Sequence, residues 1–467
     1  MPRVHAFTDD ALSDHDAVGL TEAIRSHEVS VPEVVDAAIV RVSSVDPQLG
    51  AVAYAAYDRA RAEARAPRGG YFSGVPTFLK DNVDVQGMPT QEGTDSYASR
   101  IKRADGDFAR MYLATGLLTL GKTQLSEYGF SATAEHPRLG AVRTPWDPAY
   151  VAGASSAGSA ALVAAGAVPF AHANDGGGSI RIPAAVNGLV GLKPTRDRTA
   201  QDKLMRQMPI RIVSDGIVSR SVRDTAAFFR EAEKVYRTLS LPPIGDITRP
   251  GKARLRIALN VTGIGHPPTP EVAEATREVA RVLEGLGHHV EEIDAFIVPE
   301  TFPDDFLLYW AFLAGYLVRT GRLTHGRRWA PQNLDNLTVG LTRHASRNLH
   351  RLPGAMARLR RGPALSAAAF EQYDALLTPT LAAATPQVGH LSPTHDYDTI
   401  LERLLAWVAF TPLQNVTGDP AISLPLATAS DGMPLGVMIG AGRGRETLLL
   451  ELAYELEEAM PFARIQG

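Results

Sequence analysis

Three short segments hold the residue types that nucleophilic hydrolysis needs. The first, Gly74-Val75-Pro76-Thr77-Phe78-Leu79-Lys80-Asp81-Asn82, ends an apolar, strand-like run on a lysine. An inward-facing lysine is costly unless it is neutral or paired. Burial lowers its pKa by several units and yields an amine able to take a proton near neutral pH. A surface lysine after an edge strand would read the same way. The second segment is Gly153-Ala154-Ser155-Ser156-Ala157-Gly158-Ser159. Small residues there allow tight backbone turns and close approach. A plain loop capping the next helix through Ser156 or Ser159 fits equally. The third is Asp175-Gly176-Gly177-Gly178-Ser179-Ile180-Arg181. Three glycines before a serine let successive N–H groups converge on one point, as an oxyanion hole requires. Each such donor is worth roughly 3 kcal/mol of barrier. A phosphate loop would end in Gly-Lys-Ser/Thr, which this segment does not, leaving a tight turn as the other reading.

The elements around these segments suit a large α/β fold. Ser30-Val31-Pro32-Glu33 reads as a capping box, with a helix running through Val34, Val35, Ala38, Ile39 and Val42 and ended by Asp46-Pro47. Ala161–Ala167 reads as a buried helix and Val168–Ala173 as a buried strand. Arg254–Leu259, Pro270–Leu286 and Val290–Ile293 read as strand, amphipathic helix and strand, with Gly287 as the helix cap. Such alternation implies helices on both faces of a large mixed, mostly parallel twisted sheet.

Composition narrows the class further. The chain has 467 residues, 45% hydrophobic and 21% charged, enough for a large core. Net charge is -4, from 47 basic and 51 acidic residues, so no nucleic acid or anionic membrane is called for. With no cysteines there are no disulfides or thiolate ligands, which fits a cytoplasmic location. The start, Met1 to Asp10, is not a secretory signal. The greasy run Ala160 to Ala173 contains Pro169 and is too short to span a bilayer. The 13 histidines show no ligand spacing, so neither metal nor cofactor is expected. Gly440-Ala441-Gly442-Arg443-Gly444 lacks a full dinucleotide fingerprint and reads as a turn. The stretch 320–365 is arginine-rich, with Arg319 just before it, and reads as solvated helix faces or a cap over a pocket favouring acidic groups.

Taken together, the segments resemble the amidase signature family. The shared pattern runs from Gly74 to Thr195 and closes on Gly191-Leu192-Lys193-Pro194-Thr195. Fainter similarity reaches Asp46-Pro47-Gln48-Leu49 upstream, and Leu377-Thr378-Pro379-Thr380 and Asn415 to Ala421 downstream. The chain departs from the commonest pattern at Ala154, Ala157, Asn174 and Gly176. In this it is similar to the branch containing the 6-aminohexanoate cyclic-dimer hydrolases rather than the tRNA-dependent amidotransferase subunits.

The resemblance implies a Ser-cisSer-Lys triad. Lys80 matches the lysine, Ser155 the bridging serine after a cis peptide, and Ser179 the nucleophile. The N–H groups of Gly176, Gly177, Gly178 and Ser179 would line the oxyanion hole. Tyr128, Gly129 and Phe130 fall where the acyl-pocket wall is expected, while Asp175, Arg181 and Ser156 would support the loop. No clear linker interrupts the chain, which reads as one domain over 1–467, divided into a helical start (1–65), a signature core (66–240), a βαβ unit and variable cap (241–365) and a return to the core (366–467). A homodimer is the assembly the resemblance suggests. The expected activity is cleavage of small amides, anilides, oligoamides or carbamates (urethanes), with esterase side activity. Two other readings compete. An α/β-hydrolase using Ser156 would leave Lys80 and the glycine-rich loop without a role. An amidotransferase-like subunit would act only within a tRNA-dependent complex.

Overall fold

The computed structural model describes residues 3–294 and 297–466. Ser30 opens a long helix as expected: its hydroxyl accepts the Glu33 N–H, and the Glu33 carboxylate accepts the Ser30 N–H. That helix spans Val31–Leu49, so Asp46-Pro47 does not end it. In the last turn a proline removes a single intrahelical bond. Gly50, at φ 63°, supplies the left-handed stop three residues later. Asp46 Oδ1 then accepts the N–H groups of Ala51 and Val52 beyond the helix.

The strands in chain order are β1 (Val52–Ala55), β2 (Pro76–Lys80), β3 (Leu118–Thr123), β4 (Glu135–His136), β5 (Gly140–Ala141), β6 (Phe170–Asp175) and β7 (Val190–Lys193). They continue with β8 (Ser214–Ser219), β9 (Arg256–Leu259), β10 (His289–Glu292), β11 (Ala375–Pro379), β12 (Ala421–Thr428) and β13 (Pro434–Ala441). A small sheet has the order β1-β3-β2, and the large one has eight strands in the order β10-β9-β11-β13-β12-β7-β8-β6. The large sheet is mixed, as expected. Its parallel pairs, β10 with β9 and β9 with β11, lie at the end built by the βαβ unit. The other neighbours pair antiparallel. The short turn over 429–433 can only return β12 to β13 in that sense.

Helix Ala157–Ala164 is buried on every side. It begins a few residues earlier than its composition suggested, whereas β6 begins and ends two residues later than the expected Val168–Ala173. A Cβ on Gly158 would collide with the Ala51 carbonyl, so this helix packs backbone against backbone beside the small sheet. Its N-terminal end carries Ser155 and Ser156. Helix Phe302–His325 covers the loop after β6, with Trp310 and Phe306 lying over Gly176 and Gly177, and helix Asn336–Asn348 packs against it. Within the arginine-rich stretch, Arg358 pairs with Asp305 at 2.6 Å, and Arg343 and Arg347 are exposed. Among the described residues no helix is long and apolar enough to cross a membrane.

Candidate active site

Lys80 closes β2 with its side chain fully buried. Its Nζ lies 2.7 Å from Ser155 Oγ, 3.1 Å from Ser156 Oγ and 2.6 Å from Asn174 Oδ1. As an ammonium, Nζ donates to all three oxygens; in the neutral form the capacities of the partners sort the bonds. Asn174 Oδ1 can only accept, and the Asn174 side chain also bonds Asp215. Ser156 donates its own hydrogen to the Asn174 carbonyl at 3.3 Å, so its oxygen accepts from Lys80. A neutral amine has two hydrogens and one lone pair. In the neutral form Ser155 Oγ, the remaining partner, faces that lone pair. Burial brings the Lys80 pKa down from 10.5 to about 7, against the pull of Asp215 and Asp175.

Behind the lysine lies a pair that the sequence did not single out. The Lys80 N–H donates to His172 Nδ1 at 3.2 Å, so the ring proton sits on Nε2, facing Asp215 Oδ1 at 3.2 Å. Burial, then the charge of Lys80, holds His172 well below its usual pKa. Burial likewise raises Asp215 to about 7. No motif links positions 172 and 215; the antiparallel pairing of β6 with β8 brings them together.

Ser155 and Ser179 meet differently from expectation. The Ser155 N–H donates to Ser179 Oγ at 3.3 Å. Among the described residues every peptide bond is trans, so the expected cis bond between Ala154 and Ser155 is not present. Trans is the low-energy isomer for a non-proline residue. In this arrangement Ser155 turns its main-chain donor, not its hydroxyl, toward Ser179.

The glycine loop is held from beneath by Asp175. Its carboxylate accepts the Gly178 N–H at 2.7 Å and the Ile180 N–H at 3.2 Å. Gly178 is therefore corrected as an oxyanion donor, because its N–H is already committed. Gly176, Gly177 and Ser179 keep main-chain N–H groups with no partner among the described residues. Gly178 sits at φ 135°, where a side chain would strike Thr411 and Ile182. Arg181, fully buried, grips Asp175 through Nε and Nη2, both at 2.9 Å. It also donates to Gln414 and Asn415, each at 2.8 Å. Burial pushes the Asp175 pKa up, but the Arg181 guanidinium outweighs it and the net value is about 2. Asp175, Arg181 and Ser156 thus stand behind the loop and the lysine.

Two cavities flank the serines. One of about 270 Å³ opens at Ser155, Asn174 and Gly176; the other, about 70 Å³, opens at Ser179 and Gly177. Gly129, Phe130 and Trp310 form the wall between them. Gly129 lies against Ser155: a Cβ there would be 3.5 Å from Ser155 Oγ. Trp310 packs edge-on against Phe130 with ring centres 5.4 Å apart, and its Nε1 donates to the Phe130 carbonyl. Trp310 was not anticipated, because it comes from the helical cap far along the chain. Tyr128 lines the larger cavity, and its hydroxyl bonds Ser96 Oγ at 2.8 Å.

A mixed α/β sheet that carries a buried lysine amine, paired serines and a glycine-rich loop at one cavity defines the class of the amidase signature enzymes. The chain belongs to the amidase family, whose profile, described as Amidase, matches residues 33–450. It is 59% identical over 466 residues to the protein named "Putative amidase AmiC" of Mycobacterium leprae, covering 100% of this chain and 99% of that one. It is 35% identical over 474 residues to the 6-aminohexanoate-cyclic-dimer hydrolase of Paenarthrobacter ureafaciens, covering 96% and 95%. The solved structure of 6-aminohexanoate cyclic dimer hydrolase complexed with substrate superposes with a TM-score of 0.87 at 32% identity, covering 98% of this chain and 99% of that one. Family membership makes this chain a hydrolase of amide bonds.

Proposed function

We propose that the chain cleaves amide-type C–N bonds through an acyl-enzyme on Ser179, with Lys80 as the ultimate base. The observation that carries this reading is the bonding around Nζ. Nζ has three oxygen neighbours; when the amine is neutral, Ser156 and Asn174 take its two hydrogens and its lone pair is left for Ser155. Ser155 gives its proton to Lys80 and accepts that of Ser179, whose side chain rotates toward it as the oxygen attacks the carbonyl. The developing oxyanion meets the free N–H groups of Gly176, Gly177 and Ser179. Ser155 then protonates the departing amine, and water repeats the sequence on the acyl-enzyme. Small amides, anilides, oligoamides and carbamates present the same carbonyl and leaving-group geometry, and esters follow as a side activity. Cavities at Ser155 and at Ser179 leave space for groups on either side of the scissile bond. Similarity to a hydrolase of a cyclic oligoamide supports oligoamides as a class to assay.

The test is a panel of chromogenic amide, carbamate and ester substrates run with wild type and Ser179→Ala. Wild type should turn over the amides, and the variant should fold but lose at least about a thousandfold in kcat/KM. Amide hydrolysis that survives in the variant would remove Ser179 from the nucleophile's role.

A further inference from the structure

The mechanism leaves Glu92 unused, yet the fold holds it in a demanding place. Its φ is 55°, a left-handed conformation disfavoured for any residue with a side chain. Two main-chain bonds maintain it: the Glu92 N–H donates to the Asp81 carbonyl, and the Glu92 carbonyl accepts the Tyr128 N–H, each at 2.9 Å. The residue is thus tied to the segment just after Lys80 and to the wall beside Ser155.

The Glu92 side chain lines the larger cavity. The Tyr97 hydroxyl donates to Oε2 at 2.7 Å, while Oε1 has no partner among the described residues. Asn82, on the same lining, leaves its Oδ1 without a donor. The remaining surface is largely apolar, with Phe130, Trp310, Leu313 and Met208, and carries no lysine or arginine. The Lys102 ammonium is paired with Asp84 at 3.1 Å. Burial accordingly raises the Glu92 pKa. The cavity therefore offers unmatched acceptors and an acid on which, among the described residues, only Lys102, itself paired with Asp84, draws as a cation, on the same largely apolar lining as Ser155. An ammonium group on an aliphatic stem supplies what is missing: hydrogen-bond donors, positive charge and an apolar body.

We infer that Glu92 is the recognition point for a protonated primary amine on the substrate, so that the enzyme prefers amides whose chain ends in an ammonium group. This rests on the hydrolytic reading above and names its substrate class. The experiment compares an ω-aminoalkanoyl p-nitroanilide with the alkanoyl p-nitroanilide of equal chain length. In wild type, kcat/KM should favour the ammonium substrate by on the order of tenfold or more, mainly through KM. In Glu92→Gln that ratio should fall to about one, and in Glu92→Lys it should drop below one. Because both substrates report on the same folded fraction, poor folding of a variant cancels from the ratio. Equal use of the two anilides by wild type, or a ratio unchanged in Glu92→Gln, would overturn the assignment. A binding arm separates this from the hydrolytic reading. Calorimetry on Ser179→Ala should show an n-alkylammonium bound at least about tenfold tighter than the matching alcohol, whether or not wild type cleaves amides. Equal binding there would also overturn it.

Discussion

Replacing Lys80 by methionine separates the cost of the buried amine from its use. Methionine has a similar length and no charge, and it suits irregular apolar space. The amine is fully buried, with a pKa near 7 in place of 10.5. A folded-state value below the unfolded one means the unfolded chain holds the extra proton between the two. Native stability therefore rises with pH across that window and is lowest below it. For a single proton with these two values, the penalty on the native state is about 4 kcal/mol near pH 7 and about 2 kcal/mol near pH 9. The methionine variant carries no such penalty. Its absolute stability also reflects lost hydrogen bonds to Ser155, Ser156 and Asn174. Those losses do not titrate in this range, and Asp215, near 7 and held down by Lys80, shifts up without the amine and moves the difference in the same direction, so the amine's share is the least change expected. Urea unfolding of both proteins at the two pH values should show the variant's stability relative to wild type falling by at least about 2 kcal/mol from the lower pH to the higher. In parallel, kcat/KM of wild type should rise through about pH 7 and level off, while the variant stays inactive. A stability difference that does not move with pH would refute a depressed lysine pKa, and with it the neutral base.

Other consequences are quicker to check. Asn174→Asp places a carboxylate on Nζ and favours the ammonium form, so the acidic limb of the pH–rate profile should move up by about a unit or more; an unmoved limb would contradict the bonding around Lys80. Gly178→Ala asks for a side chain at φ 135° against Thr411 and Ile182, and should lower stability by about 2–4 kcal/mol with loss of activity, read by thermal unfolding and anilide turnover. Arg181→Met leaves the Asp175 carboxylate buried without its cation and should cost about 3–5 kcal/mol; an unchanged melting temperature would show that the pair is not holding the loop.

What could be read in advance follows the range of the interactions. Ser30, Glu33 and the βαβ unit obey local rules of capping and periodicity, and they appear where those rules put them. Pro47 misled because a proline rule stated for helix interiors weakens in a final turn, and the effective stop was Gly50. The two serines, the lysine and the glycine loop were visible because each is encoded within a few neighbouring positions. The assignment of Gly178 failed for a reason that a string of glycines does not reveal: the folded chain turns one of the four N–H groups down onto Asp175. Asn174, His172, Asp215 and Trp310 act through contacts made by strand pairing or by the helical cap, and their identities alone carry no signal. Glu92 was hidden in the same way, since only the folded loop shows an acid aimed into an apolar cavity.

The grip of Asn415 on Asp175 has a consequence for timing. Its Nδ2 donates to the Asp175 carbonyl at 2.9 Å and to Oδ1 at 2.8 Å, while Arg181 reaches across to the same asparagine. During synthesis the lysine, both serines and the glycines all leave the ribosome long before that asparagine does. A nascent or prematurely stopped chain thus holds every reacting group but not the brace that fixes them. The glycine loop is therefore fixed from both sides only once the chain has been made as far as Asn415.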